Sequence, residues 1–282
     1  MTPGEAVPAA VAEQGPRNLL VRVAAALVLA PTAIAIAWAG GWFWSGLATL
    51  GAIGLYVEWL MVVGAVQTRR AVAAGIVALM VGGLGLALQR LDVCLAALAL
   101  GLAGVLLLSA ERRGWAAAGF CYAAAAEIAS VLVRLDAVAG FVALIMVLLI
   151  VWVTDIGGYF AGRGLGGPKL WPRVSPKKTW AGAIGGFIAS LVIAAAFAAF
   201  GFGKMGPLLL LGAALSIASQ LGDLFESAVK RRFGVKDSSQ IIPGHGGLLD
   251  RLDGFVAAIA LAALLGILRG GVDGVGRGLM VW

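Results

Sequence analysis

The sequence predicts an all-α, polytopic integral membrane protein with about nine transmembrane helices. Three observations lead there. Hydrophobic residues make up 61% of the 282-residue chain and charged residues 12%, against about 25% charge in a soluble domain, and mean hydropathy is +1.00. Apolar runs of about 20 residues, each long enough to cross roughly 30 Å of hydrocarbon as a helix, recur along the whole chain. The basic residues collect in alternate connections, as a fixed orientation in a bilayer requires.

Residues 1–16 are rich in Pro and Ala and lack the basic start of a secretory signal, so they are expected to form a disordered tail. Crossings follow at 19–39, 42–65, 71–88, 91–109, 115–133, 137–160, 181–202, 207–225 and 254–268, the last of them short. The 42 glycines and many alanines suit close helix packing, and "GGLGLALQ" and "GAIGG" are assigned to that packing rather than to a nucleotide loop. Cys94 and Cys121 have no metal-like spacing and are expected to be small buried hydrophobes without a disulfide. Glu58 and Glu127 lie in or beside apolar segments and are assigned to hydrogen bonds between helices or to interfacial snorkelling, outside any phosphate site.

With nine crossings, sixteen of the 21 Lys and Arg residues fall on one side, leaving only Arg90, Arg134, Lys204, Arg269 and Arg277 on the other. The positive-inside rule makes the first side cytoplasmic. Topology and anionic headgroups account for the pairs at 69–70 and 112–113 and for much of the net charge of +7, so no nucleic acid partner is expected. Two long connections ask for more. "GRGLGGPKLWPRVSPKKTWAG" and "SAVKRRFGVKDSSQIIPGHGGLLDRLDG" share ten of the basic residues, and the second also holds the only histidine.

Carboxylates border both connections. In "SQLGDLFESAVKRR", Asp223, Ser227 and Lys230 recur at helical spacing, with Glu226 three residues after Asp223 and four before Lys230. Asp250 and Asp253 share one helical face at the start of the ninth segment, and Asp155 lies inside the end of the sixth. A carboxylate at membrane depth is costly unless it is paired or binds a cation, so each is a candidate site residue. Oxygen ligands from carboxylates, water and phosphate suit Mg2+, whereas one histidine and no clustered cysteine disfavour zinc. Clustered lysines and arginines beside such a cation have a common target in a polyphosphate. The chemistry indicated is phosphoryl or nucleotidyl transfer at the membrane surface.

The second connection resembles the signature of the CdsA-type phosphatidate cytidylyltransferases. It carries Ser227, Lys230, Arg231, Lys236, Asp237, Pro243, Gly244, His245, Gly246, Gly247, Asp250, Arg251 and Asp253 at that family's spacing. "DIGGYFAGR" and "SPKKTW" are similar to its two upstream motifs, so the resemblance covers about 150–268; earlier in the chain only hydropathy and "VEWL" around Glu58 share it. One departure stands out. Many members have Glu-Gly after "SPKKTW" where this chain has Ala181 and Gly182, so a carboxylate at that position is not essential to the reaction here.

The resemblance implies CTP and phosphatidate as substrates, CDP-diacylglycerol and pyrophosphate as products, and Mg2+ as cofactor, with room for a second cation. It also implies a bacterial-type inner membrane location with the site facing the cytoplasm, and is compatible with a homodimer. Asp223 and Asp250 are then expected to be the leading metal ligands, with Asp253 and Glu226 as secondary ligands or orienting groups. Lys230, Arg231 and His245 complete the expected catalytic set, His245 bracing its turn or touching phosphate. Lys177, Lys178, Ser227, Lys236, Asp237, Gly246, Gly247, Arg251 and Asp155 are expected to bind substrate. The chain divides accordingly into the tail (1–16), N-terminal membrane helices (17–136) and a C-terminal membrane region carrying the chemistry (137–282). A CTP- or ATP-dependent lipid kinase would share these features, and so, with less of the pattern explained, would an anion transporter.

Overall fold

A computed structural model describes residues 31–239 and 246–282. The tail at 1–16, the first part of the first expected crossing, and Pro243, Gly244 and His245 lie outside the described residues. The chain is helical almost throughout. Helix α1, described over 31–39, is followed by α2 (Gly41–Val62), α3 (Arg69–Ala87), α4 (Leu91–Leu108), α5 (Arg113–Leu135) and α6 (Gly140–Leu165). A short hairpin, β1 (Lys169–Trp171) and β2 (Ser175–Thr179), leads into α7 (Trp180–Ala199), α8 (Met205–Arg232) and α9 (Leu249–Gly270). A 3-10 turn (Val272–Gly274) and a short α10 (Val275–Met280) close the described chain.

Among the described residues, eight helices, α2 to α9, are long and apolar enough to cross a membrane, and they coincide with expected crossings two to nine. The last crossing is longer than its apolar run. Helix α9 begins at Leu249 rather than near 254, because Asp250 and Asp253 lower hydropathy without breaking the helix, and carboxylates are favoured in a first turn by the helix dipole. Helix α8 likewise continues past its apolar run to Lys230, Arg231 and Arg232, cations suited to the negative C-terminal end.

Helix α5 is the most enclosed, packing on α2, α4, α6, α9 and α10, whereas α4 and α7 are the most peripheral. Buried aromatic residues keep their polar ends satisfied: Trp44 Nε1 donates to Ser130 O at 3.0 Å, Trp59 Nε1 to Trp115 O at 2.8 Å and Tyr56 Oη to Ala71 O at 3.1 Å. Glu127 behaves as expected, accepting from Thr49 Oγ1 at 2.7 Å across α2 and α5. Both cysteines are free; Cys94 is buried, but Cys121 lies on the outward face of α5, where an apolar bilayer serves a small hydrophobe as well as a core does.

The most extensive helix contact joins α6 to α7, and glycine makes it. A Cβ at Gly186 would stand 2.4 Å from Thr154 O, and one at Gly182 would stand 2.8 Å from Gly158 O. The two backbones meet directly, as small residues spaced by four allow between membrane helices. This contact fixes the start of α7, and hence the hairpin, against the end of α6.

The opposite end of the bundle is clasped by Asp136. Its buried carboxylate accepts from Val138 N at 2.9 Å, Ala139 N at 3.1 Å, Arg277 N at 2.9 Å and Arg277 Nε at 3.0 Å. Burial by itself would raise the pKa of this carboxyl, but the backbone and guanidinium donors outweigh it and hold the group below the usual carboxylate range. A depressed folded-state pKa contributes stability that is fully present above the unfolded value and is lost as pH falls through the folded one. In detergent, the wild type is therefore expected to unfold at a higher temperature than Asp136→Asn near neutrality, with the gap closing below about pH 3.9. A gap that stays constant under acid would contradict this account of the clasp.

Candidate active site

The expected site residues converge where α6 and α8 end and α7 and α9 begin. The hairpin folds over this end because Thr179 caps α7, its Oγ1 accepting from Gly182 N at 3.1 Å, and because Trp180 N bonds Pro168 O at 3.0 Å. The paired strands were not legible, since five residues of "SPKKT" show no apolar alternation.

Beneath the hairpin lies a cavity of about 640 Å³. Asp155, Gly158, Tyr159, Gly162 and Arg163 of α6 line one wall, Lys169, Lys177, Lys178 and Thr179 of the hairpin the roof, and Gln220 and Asp223 of α8 the other wall. Lys178 forms an ion pair with Asp223, each side chain 29% exposed, so the pair remains open to the cavity. Ser227 Oγ donates to the same carboxylate at 3.4 Å. Asp155 is close enough to feel both Asp223 and Lys178, and Asp253, which accepts from Gly254 N at 2.7 Å, is close enough to feel Asp223, Asp155 and Glu226. Carboxylates from three helices thus lie near one another, two of them, Asp223 and Asp155, beside the Lys178 ammonium group.

A second cluster is enclosed. Lys230 Nζ lies 2.7 Å from Glu226 and 2.5 Å from Asp250, with side-chain exposures of 11%, 1% and 15% respectively. Asp250 Oδ2 also accepts from Ser238 N, Ser238 Oγ and Gly247 N, each at 3.1 Å. The paired glycines of "GHGG" are explained here. Gly246 has φ +82°, which favours glycine, and a Cβ on Gly247 would stand 1.8 Å from Ser238 Oγ and 2.4 Å from Glu58 Oε2.

Glu58 bonds from one helix to another as expected, but its contacts extend further. Its carboxylate, fully buried at the end of α2, accepts from Ser238 Oγ at 2.9 Å, Ser239 Oγ at 2.7 Å, Leu248 N at 2.8 Å and Leu249 N at 2.7 Å. It joins α2 to the loop and to the start of α9, next to Asp250, instead of merely bridging two helices. Its partners lie about 180 residues away, and the only sequence signal was the isolated "VEWL". Tyr122 was missed: it stacks on Trp59, with Phe225 beside both rings, and its hydroxyl reaches Asp253 O at 3.5 Å.

The remaining expected residues are spread around these clusters. Arg231 uses Nε on Val174 O at 3.4 Å and Nη1 on Val235 O at 3.2 Å, tying the tip of the hairpin to the end of α8. Lys177 stands at the cavity rim, while Lys236, Asp237 and Arg251 are exposed on the loop side. Ala181 sits in the first turn of α7, so this turn contributes no carboxylate. Asp223 and Asp250, the expected leading ligand pair, each face a lysine and have separate sets of partners.

Among the described residues, no three carboxylate, histidine or cysteine side chains enclose a metal ion by themselves. The all-oxygen donor set, two carboxylates each paired with a lysine, nevertheless fits a cation such as Mg2+, which binds through one or two carboxylates and takes its other oxygens from water and phosphate.

Fold and site together define a helical integral membrane protein with a centre of paired carboxylates and lysines at one end of its bundle. A model described as the cytidylyltransferase family matches residues 20–268, and the chain belongs to that family, an enzyme of the nucleotidyltransferase class. A protein of Brucella suis biovar 1 (strain 1330) named phosphatidate cytidylyltransferase is 42% identical over 255 residues, 88% of this chain and 93% of that protein. A protein of Staphylococcus aureus (strain COL) with the same name is 50% identical over 119 residues, 42% of this chain and 46% of that one.

Proposed function

We propose that this protein transfers the cytidylyl group of CTP to phosphatidate, forming CDP-diacylglycerol and pyrophosphate for phospholipid synthesis. The observation that carries the reading, beside the family, is the pair of matched lysine and carboxylate contacts, Lys178 with Asp223 and Lys230 with Asp250. Both substrates are anions that repel each other. Their phosphates compete for the ammonium groups, and the carboxylates freed in the exchange would hold a divalent cation. Asp223 and Asp250 would hold Mg2+, with Asp253, Glu226 and Asp155 as neighbouring carboxylates, and when bound it would supply neutralisation of the reacting phosphates and of the leaving group.

The residues of the chain do the rest. Lys178 passes from Asp223 to a substrate phosphate, and Lys169, Lys177 and Arg163 add positive charge around the cavity. A phosphatidate oxygen attacks the α-phosphorus of CTP, the bond to the β-phosphate oxygen breaks, and pyrophosphate departs with its charge balanced by Lys and Arg. No general base is required, because a phosphate monoester is already largely dianionic near neutrality. His245 would brace its turn or contact phosphate, and Lys230, Lys236 and Arg251 would bind triphosphate or headgroup. The bias of basic residues toward this end supports a cytoplasmic site in a bacterial inner membrane.

The decisive experiment uses purified protein, phosphatidate, Mg2+ and CTP labelled, in parallel reactions, at the α- or the γ-phosphorus, and asks whether α-label enters the lipid. Entry of α-label is the expected result. Transfer of γ-label alone would establish a lipid kinase, and solute flux across sealed vesicles without turnover a transporter. In the same assay Lys177→Ala is expected to raise the KM for one substrate about tenfold, equivalent to about 1.4 kcal/mol, without moving the unfolding temperature, since an exposed cation adds little to folding. Unchanged kinetics would leave Lys177 with a topological role only.

A further inference from the structure

We propose that Glu58, on the second helix and far from the signature in sequence, is a positioning residue for the transfer reaction. The four groups that donate to it come from both sides of the segment 240–245: Ser238 and Ser239 before it, Leu248 N and Leu249 N after it. One carboxylate therefore staples both flanks of the loop. Four donors match the four lone-pair directions of an ionised carboxylate, and two of them are amides at the start of α9, where the helix dipole favours negative charge. No cation need be buried beside it.

The staple bears on the reacting groups through one shared hydroxyl and one neighbour in the chain. Ser238 Oγ lies within hydrogen-bond distance of both Glu58 Oε2 at 2.9 Å and Asp250 Oδ2 at 3.1 Å, and Leu249 N, held by Glu58, immediately precedes Asp250 in the chain. Asp250 in turn holds Lys230. Glu58 thus sets where Asp250 and Lys230 stand relative to the cavity without touching substrate itself. Gly247 completes the fit, since any side chain there would enter the space Glu58 and Ser238 occupy.

This inference rests on the cytidylyl-transfer reading. The test is steady-state kinetics per folded molecule, with α-labelled CTP, phosphatidate and Mg2+, for wild type, Glu58→Gln and Glu58→Asp in detergent. A glutamine presents an NH2 group to two of the donors, so the loop shifts, and a misplacement of that order is expected to cost about a hundredfold in kcat with the KM for CTP little changed. Aspartate keeps the charge on a shorter stem and is expected to recover roughly tenfold of that loss. Should Glu58→Gln not accumulate as folded protein, Glu58→Asp and Ser239→Ala carry the test, each expected to lower kcat several-fold. Wild-type kcat in the folded variants overturns the proposal while leaving the function intact. A wild type that transfers no label overturns both.

Discussion

Asp223→Asn is expected to lower kcat by about a thousandfold while the protein still folds with nearly its wild-type unfolding temperature. The asparagine keeps the shape of the side chain and loses its charge. That charge faces the cavity, is shared with Lys178 and Ser227, and is met by Asp155 and Asp253 from neighbouring helices. In the proposed reaction it would hold the divalent cation and release Lys178 to phosphate. Its contribution to stability is small for a separate reason: both members of the pair are 29% exposed, and such screened pairs contribute about 0–1 kcal/mol. Kinetics of the purified variant together with its melting curve check both halves. A kcat within about tenfold of wild type would remove Asp223 from the metal site.

Asp250→Asn is expected to fail in a different way, losing about a hundredfold in kcat and about 2 kcal/mol of stability together. Asp250 is 15% exposed and is met by Lys230 Nζ, Ser238 N, Gly247 N and the Ser238 hydroxyl that it shares with Glu58. The neutral amide retains some of these bonds, but its NH2 group must face a donor, and Lys230 is left with Glu226 alone. The loop that Glu58 also holds then loosens. Stability lost without activity would make Asp250 purely structural; activity lost at wild-type stability would show that the loop does not depend on it. The contrast with Asp223→Asn separates the open cluster from the enclosed one.

Much of this protein was legible in one dimension. Eight described helices coincide with apolar runs because a bilayer leaves the backbone no partner but itself, so length and hydropathy suffice to mark a crossing. The contact of Lys230 with Glu226 was legible too, since a spacing of four residues makes them neighbours on any helix. Hydropathy misjudged only the ends, where α9 begins five residues before its apolar run and α8 continues past its own.

What the tertiary structure alone decided was which distant group meets which. Nothing in the spacing of "SPKKTW" assigns Lys178 to Asp223, or directs the hairpin tip to Arg231. Those pairings follow from glycine faces on α6 and α7 that bring the backbones into contact and set the hairpin over α8. Glu58 is the clearest case. As a lone acid in an oily helix it had many permissible partners, and helical periodicity relates residues only within a few turns. Its actual partners were chosen by the packing of α2 beside α5 and α9, which delivers a buried carboxylate to the free amides at the start of α9 and so joins a remote segment to the cluster around Asp250.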